Sequence, residues 1–127
     1  MAKTTHELVL EAKASVTEAA SEQVQVLLDQ GVTLIDVREP EEFVAGHLPG
    51  AFNIPRGVLE FKIASLPQTA DMQAPLILYC LGGGRAALSA VQLQKLGYAQ
   101  VVCLAGGFEA WAAAKLPVSK PAPINFE

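Results

Sequence analysis

Short apolar runs alternate with amphipathic stretches along most of this 127-residue chain. The run at residues 76–79 is apolar throughout, which is typical of a strand that is covered on both faces of a sheet. A weaker run at residues 15–17 predicts a short edge strand. The remaining runs of strand length and composition lie at residues 32–35, 51–54 and 101–104.

Helical patterns separate these runs. Thr4 followed by Glu7 fits a capping box and predicts a peripheral helix through about residue 14. Ser21 is the predicted cap of the next helix, which Gly31 ends. Further helical patterns lie at residues 41–44, 86–96 and 108–115.

One helical pattern follows Pro55, and it predicts three inward-facing apolar side chains. These are Val58, Phe61 and Ile63.

Strands that alternate with helices predict an α/β fold with a mostly parallel central sheet and helices on both faces. Ligands in such folds gather outside the carboxyl ends of the strands. We divide the chain into a helical extension at residues 1–14, one domain at residues 15–118 and an irregular tail at residues 119–127.

Composition and charge limit the classes of partner that this chain is expected to bind. Hydrophobic residues make up 51% of the chain and charged residues 17%, which indicates a globular protein. A net charge of -4 with no long basic run argues against nucleic acid as a partner. No apolar segment is long enough for a membrane span or a secretory signal, so we expect no membrane partner and a cytoplasmic location.

The candidate chemistry lies directly after the run at 76–79. Cys80 stands at the carboxyl end of this strand, where a helix N-terminus and nearby cations favour a reactive thiolate. Consecutive glycines let backbone N–H groups converge on one anion, and an arginine adds a positively charged guanidinium group with paired N–H donors. A lone cysteine is more often inert core, but this combination favours a nucleophile. The loop after Cys80 consists of Leu81, Gly82, Gly83, Gly84 and Arg85.

Three motifs, in order, resemble the rhodanese family of sulfurtransferases. The loop has cysteine first, glycine fourth and arginine sixth, as Cys80, Gly83 and Arg85 provide. Residues 36–51 resemble the first signature of the family, and residues 104–111 resemble its last.

The resemblance implies that Cys80 attacks the outer sulfur of a donor, holds it as a persulfide and passes it to an acceptor such as cyanide or a thiol, small or on a protein. Backbone amides from Leu81 to Arg85 would stabilise the sulfur, and the Arg85 side chain would hold a small anionic donor such as thiosulfate. Relatives often carry a hydroxyl residue after the loop, whereas this chain has Ala86.

We expect the other marked residues to support the structure. Asp36 and Arg38 point to the same side of a strand end, where they can pair or hold neighbouring loops. His47 belongs to a turn of the first signature. Cys103 and Trp111 are expected core residues, and the Trp111 indole is expected to bond a backbone carbonyl. With no metal-ligand spacing or nucleotide-binding glycine pattern, we expect no cofactor.

Two alternatives remain open. Certain phosphatases and arsenate reductases use a related loop in which five residues separate cysteine and arginine, but four separate Cys80 from Arg85. The other alternative is a non-enzymatic module for sulfur relay, redox sensing or protein interaction.

Overall fold

The computed structural model of the protein describes residues 2–120, so most of the predicted tail at 119–127 lies outside the described residues. Strands and helices alternate through this range. The strands are β1 (Thr17–Ala19), β2 (Thr33–Asp36), β3 (Phe52–Asn53), β4 (Leu76–Tyr79) and β5 (Val101–Leu104). The helices are α1 (Thr5–Ser15), α2 (Ser21–Asp29), α3 (Pro40–Ala45), α4 (Leu59–Lys62), α5 (Gly84–Leu96) and α6 (Gly107–Ala113).

The strands form one parallel sheet in the order β1-β5-β4-β2-β3. Strand β4 is central, and its Leu78 pairs with Ile35 on one side and Cys103 on the other. Strand β1 is an edge strand, as predicted, but it begins at Thr17 because Val16 still caps α1. The prediction of a mostly parallel α/β sheet is confirmed.

Each face of the sheet carries its own hydrophobic cluster, so helices cover both faces as predicted. One cluster joins β4 to α4 and α5 and contains Leu78, Leu59 and Leu93. The other joins β4 to α2 and α6 and contains Tyr79, Val24 and Trp111. Within residues 2–120, no helix is long and apolar enough to cross a membrane.

Helix α1 begins with the predicted capping box. The Glu7 amide donates to the Thr4 hydroxyl at 3.1 Å, and the Thr4 amide donates to the Glu7 carboxylate at 3.0 Å. The helix packs along α5 and buries Ala12.

Two local predictions are wrong. Ser21 is not the cap of α2: that position is Ala20, whose amide donates to the Gln23 side chain, and Ser21 is buried in the first turn.

The second wrong prediction concerns Phe61, which does not face inward, since its side chain is 85% exposed. Ile63 is buried as predicted, and Val58 is partly buried against the core. Helix α4 is one turn between two 3₁₀ turns, and Leu59 rather than Phe61 is the further buried side chain of this segment.

Candidate active site

The predicted loop connects the central strand β4 to α5. Cys80 follows Tyr79, and the helix begins at Gly84. The residue before the helix, Gly83, has a φ of 116°, a backbone conformation that a side chain would strain. Glycine at this point therefore allows the chain to turn sharply from the sheet into the helix.

This turn aims backbone amides at the cysteine. The Cys80 residue is 1% exposed, and its Sγ accepts hydrogen bonds from the Gly83 amide at 3.0 Å and the Ala86 amide at 3.4 Å. Among residues 2–120, these two amides are the donors that reach the sulfur. Our sequence prediction had named the amides of residues 81–85, and it left out Ala86, which acts through its backbone despite lacking a hydroxyl.

The N-terminus of α6 holds the start of the loop. The Phe108 amide donates to the Cys80 carbonyl at 2.8 Å, and the Glu109 amide donates to the Leu81 carbonyl at 3.0 Å. A methyl group added at Gly107 would lie 2.5 Å from the Cys80 oxygen and 2.6 Å from the Leu81 oxygen. The last signature thus supplies a glycine that lets α6 approach the loop backbone, a role that sequence reasoning missed.

Arg85 at the far end of the loop is paired with Glu42 of α3. Its two terminal nitrogens donate to the two carboxylate oxygens at 2.7 and 3.0 Å. These bonds lower the pKa of Glu42 from 4.5 to about 2 and raise the pKa of Arg85. Sequence reasoning did not select Glu42, whose only signal was its place in the first signature.

The Glu42 pair predicts a pH-dependent contribution to stability. A carboxylate whose pKa is lower in the folded state stabilises the fold above its unfolded pKa, and this stability is lost as pH falls through the folded pKa. We therefore expect Glu42→Gln to lower the free energy of unfolding by about 1 kcal/mol at pH 7, because both side chains are about one-third exposed and solvent screens the pair. The difference should shrink as pH falls from about 4.5 towards 2.

Urea unfolding at pH 7, 5, 4 and 3 measures this difference. Glu41→Gln is the matched control, since Glu41 is an exposed residue in the same helical turn. A Glu42→Gln deficit that stays constant across this range would show that the ion pair is not its source.

Asp36 and Arg38 form a buried ion pair at the end of β2. The Arg38 guanidinium donates to both Asp36 carboxylate oxygens, with a shortest distance of 2.7 Å, and to the Gly46 carbonyl at 2.7 Å. It also lies over the Phe108 ring, 4.6 Å from the ring centroid. Burial disfavours its charge, but the Asp36 carboxylate outweighs burial and raises the pKa of Arg38. The pair links β2, the turn at Gly46 and α6.

His47 lies in the turn after α3. Its ring stacks on Phe43 with centroids 3.7 Å apart, and its Nδ1 lies 2.9 Å from the Phe43 carbonyl oxygen. The backbone of His47 exchanges two hydrogen bonds with Ser119, at 2.8 and 2.7 Å. The contacts of the ring are therefore to α3, and those of the backbone are to the segment after α6.

Cys103 and Trp111 are buried, as predicted. The Cys103 thiol lies 3.6 Å from the Ala86 carbonyl, and burial raises its pKa to about 12. The Trp111 indole donates to the Pro117 carbonyl at 2.7 Å, which confirms the predicted bond to a backbone carbonyl.

Two further side chains border the loop, those of Glu109 and Lys13. Within the loop, Leu81 is 40% exposed. A methyl group added at Gly82 would lie 3.4 Å from a Glu109 carboxylate oxygen, and one added at Gly83 would lie 3.5 Å from Lys13 Nζ. Across residues 2–120 there is no group of three or more His, Cys, Asp or Glu side chains that could hold a metal ion.

Comparison with known sequences agrees with this geometry. The sequence model of the rhodanese-like domain matches residues 20–114. Thiosulfate sulfurtransferase GlpE from Pseudomonas aeruginosa is 34% identical over 92 residues, which cover 72% of this chain and 80% of that protein. A sulfurtransferase from Allochromatium vinosum is 33% identical over 108 residues, which cover 84% of this chain and 97% of that protein.

Solved structures share the fold. The human single-domain sulfurtransferase superposes with a TM-score of 0.71 at 28% identity, covering 78% of this chain and 97% of that one. A Rhodopseudomonas palustris protein of unknown function, described as a possible tyrosine phosphatase, superposes with a TM-score of 0.83 at 30% identity. That comparison covers 94% of this chain and 96% of the other.

Proposed function

Because this chain belongs to the rhodanese-like domain family, we propose that it is a sulfurtransferase that carries sulfane sulfur as a persulfide on Cys80. The observation that carries the proposal is the pair of amides, from Gly83 and Ala86, that donate to Cys80 Sγ. Backbone donors held in this way stabilise negative charge on the sulfur without reorganising during the reaction.

The same two amides can stabilise both anions of the proposed reaction, the Cys80 thiolate and the Cys80 persulfide. The Cys80 thiolate attacks the outer sulfur of thiosulfate, the sulfur–sulfur bond of the donor breaks, and sulfite leaves with the bonding electron pair. The product is a Cys80 persulfide anion. A cyanide ion or a thiolate then attacks the terminal sulfur, and the Cys80 thiolate is released.

Arg85 and the loop glycines complete the proposed site. Glu42 occupies two of the five N–H donors of the guanidinium, and the others remain for the oxygens of an anionic donor. Loop residues Leu81, Gly82 and Gly84 shape the loop around the sulfur without bonding it. Asp36, Arg38 and His47 act in this proposal as supports that fix the surrounding turns, because their side-chain contacts are to neighbouring elements.

Sulfur loading tests the proposal directly. After incubation with thiosulfate and removal of the excess, the intact protein should carry one additional sulfur atom, and cyanide should remove this atom as thiocyanate. Intact-mass spectrometry measures the first step and a colorimetric thiocyanate assay the second. Protein whose Cys80 has been alkylated with iodoacetamide is the control and should gain no sulfur.

Arg85→Ala in the same assay tests donor binding. We expect a thiosulfate concentration for half-maximal loading about tenfold higher or more, since a charge-assisted hydrogen bond contributes about 1.5–3 kcal/mol. An unchanged concentration would remove Arg85 from donor binding.

The other outcomes separate the alternatives. Hydrolysis of an aryl phosphate faster than sulfur transfer would contradict the proposal and favour a phosphatase. A wild-type protein that takes no sulfur from thiosulfate or low-molecular-weight persulfides, but accepts it from a persulfidated protein, would instead identify a relay module.

A further inference from the structure

We propose that Lys13 of α1 is a specificity-determining residue of this site, which attracts the anionic sulfur donor to Cys80. This inference rests on the proposed sulfurtransferase function for the identity of the donor. The effect of the Lys13 charge on anions near Cys80 can be measured with simple alkylating reagents, whether or not the protein transfers sulfur.

The Lys13 side chain extends from the last turn of α1 to the loop at Gly83. A methyl group added at Gly83 would lie 3.5 Å from Lys13 Nζ, and the amide nitrogen of Gly106 lies on the same side of that position. Since the Gly83 amide is 3.0 Å from Cys80 Sγ, the ammonium group lies within the Debye length of about 10 Å at 0.1 M salt. Its charge therefore acts on an anion that approaches the sulfur.

Packing of α1 fixes this position. Val9 lies over Gly84, where an added methyl group would be 3.4 Å from a Val9 methyl, and Ala12 is buried. These contacts hold the α1 backbone beside the first turn of α5, so the Lys13 side chain extends towards the loop. Lys13 stands before residue 20, where the match to the family model begins, so it lies outside the matched domain.

The charges around the loop give Lys13 its importance. Arg85 is held by two short bonds to Glu42, whereas the carboxylate partner of Lys13 is Glu18, whose nearest oxygen is 3.9 Å away. A Glu109 carboxylate oxygen lies beside the loop at Gly82. Of these two cations, Arg85 is bound closely to a carboxylate, whereas Lys13 is not bound closely to Glu18.

A pair of alkylating reagents tests this inference. Iodoacetate and iodoacetamide modify the same thiolate by the same displacement, but only iodoacetate is negatively charged. The ratio of their rates at Cys80 therefore reports the local field and cancels any change in the amount of thiolate. For Lys13→Gln we expect this ratio to fall about threefold at low salt, and thiosulfate kcat/KM to fall about threefold to tenfold. Lys13→Arg should restore both values.

Lys95→Gln is the matched control, because it removes the same charge from the far end of α5 and should change neither value. An unchanged iodoacetate ratio in Lys13→Gln, with thermal stability retained, would overturn the inference and leave Lys13 as a partner of Glu18 only. If wild-type protein transfers no sulfur from any donor, the proposed function fails, but the iodoacetate ratio still decides the role of Lys13.

Discussion

Replacement of Cys80 by serine should reduce sulfur transfer to background, a loss of about 10⁴-fold or more in kcat. A hydroxyl oxygen cannot form the persulfide, and the Gly83 and Ala86 amides would then donate to a group that is uncharged at neutral pH. Stability should change little, because serine fits the same volume and can accept the same two bonds. The measurements are thiocyanate formation at saturating donor and intact mass after donor treatment.

Cys103→Ala is the matched control for this experiment. Cys103 is also buried, but its raised pKa of about 12 keeps it a neutral thiol, and its bond is to the Ala86 carbonyl. We expect the variant to load one sulfur atom as the wild type does, with a stability loss of about 1 kcal/mol for the small cavity. If the Cys80→Ser protein gains sulfur, or the Cys103→Ala protein gains none, the assignment of Cys80 as the nucleophile is wrong.

The second large effect should come from Gly107→Ala. The added methyl group would lie 2.5 Å from the Cys80 carbonyl oxygen, and the backbone at this residue has a φ of 58°, which strains any side chain. Overpacking and φ strain together should lower the free energy of unfolding by about 3–5 kcal/mol. Relief of the clash requires α6 to move away from the loop, so the folded fraction should also load sulfur more slowly.

Gly31→Ala separates the two causes. Gly31 also has a positive φ, of 86°, but open space surrounds the position of the added methyl group. It should lose only about 1–2 kcal/mol and load sulfur at the wild-type rate. Equal losses in the two variants would mean that φ strain alone accounts for the effect and that close approach of α6 to the loop is unimportant. Urea unfolding and timed sulfur loading supply both readouts.

Prediction from sequence succeeded where structure is local. The strand at residues 76–79, the glycine turn and the helix that follows are adjacent in sequence, so apolar runs and glycine positions were sufficient to place Cys80 at the end of β4. The parallel sheet followed from the alternation of strands and helices. Even the capping box of α1 required only Thr4 and Glu7, which are three residues apart.

Contacts between distant residues were not predictable in this way. Glu42 and Arg85 are 43 residues apart, and no periodicity in the sequence relates them. The same holds for Lys13 beside Gly83 and for Gly107 beside Cys80. These contacts depend on how α3, α1 and α6 pack around the loop, which is a tertiary property.

Short elements were also misread. The spacing of apolar residues identifies the buried face of a long helix, but α4 is a single α-helical turn with a 3₁₀ turn on either side. The spacing of a regular helix therefore does not apply to this segment, and Phe61 is exposed. In α2 the cap position is Ala20, one residue before Ser21, so Ser21 lies inside the first turn; Ala20 has no side-chain acceptor for the first-turn amides, and its own amide donates to the Gln23 side chain.

The segment after α6 also bears on where this protein can be cut. Ser119 is paired with His47, and the Pro117 carbonyl accepts the bond from Trp111. A fragment trimmed to residues 20–114 would keep Cys80 and its loop, but it would lose both of these hydrogen-bonded contacts and Lys13 of α1. Trimming by sequence similarity alone would thus leave a buried indole without its acceptor, and an expression clone should extend at least from α1 through Ser119.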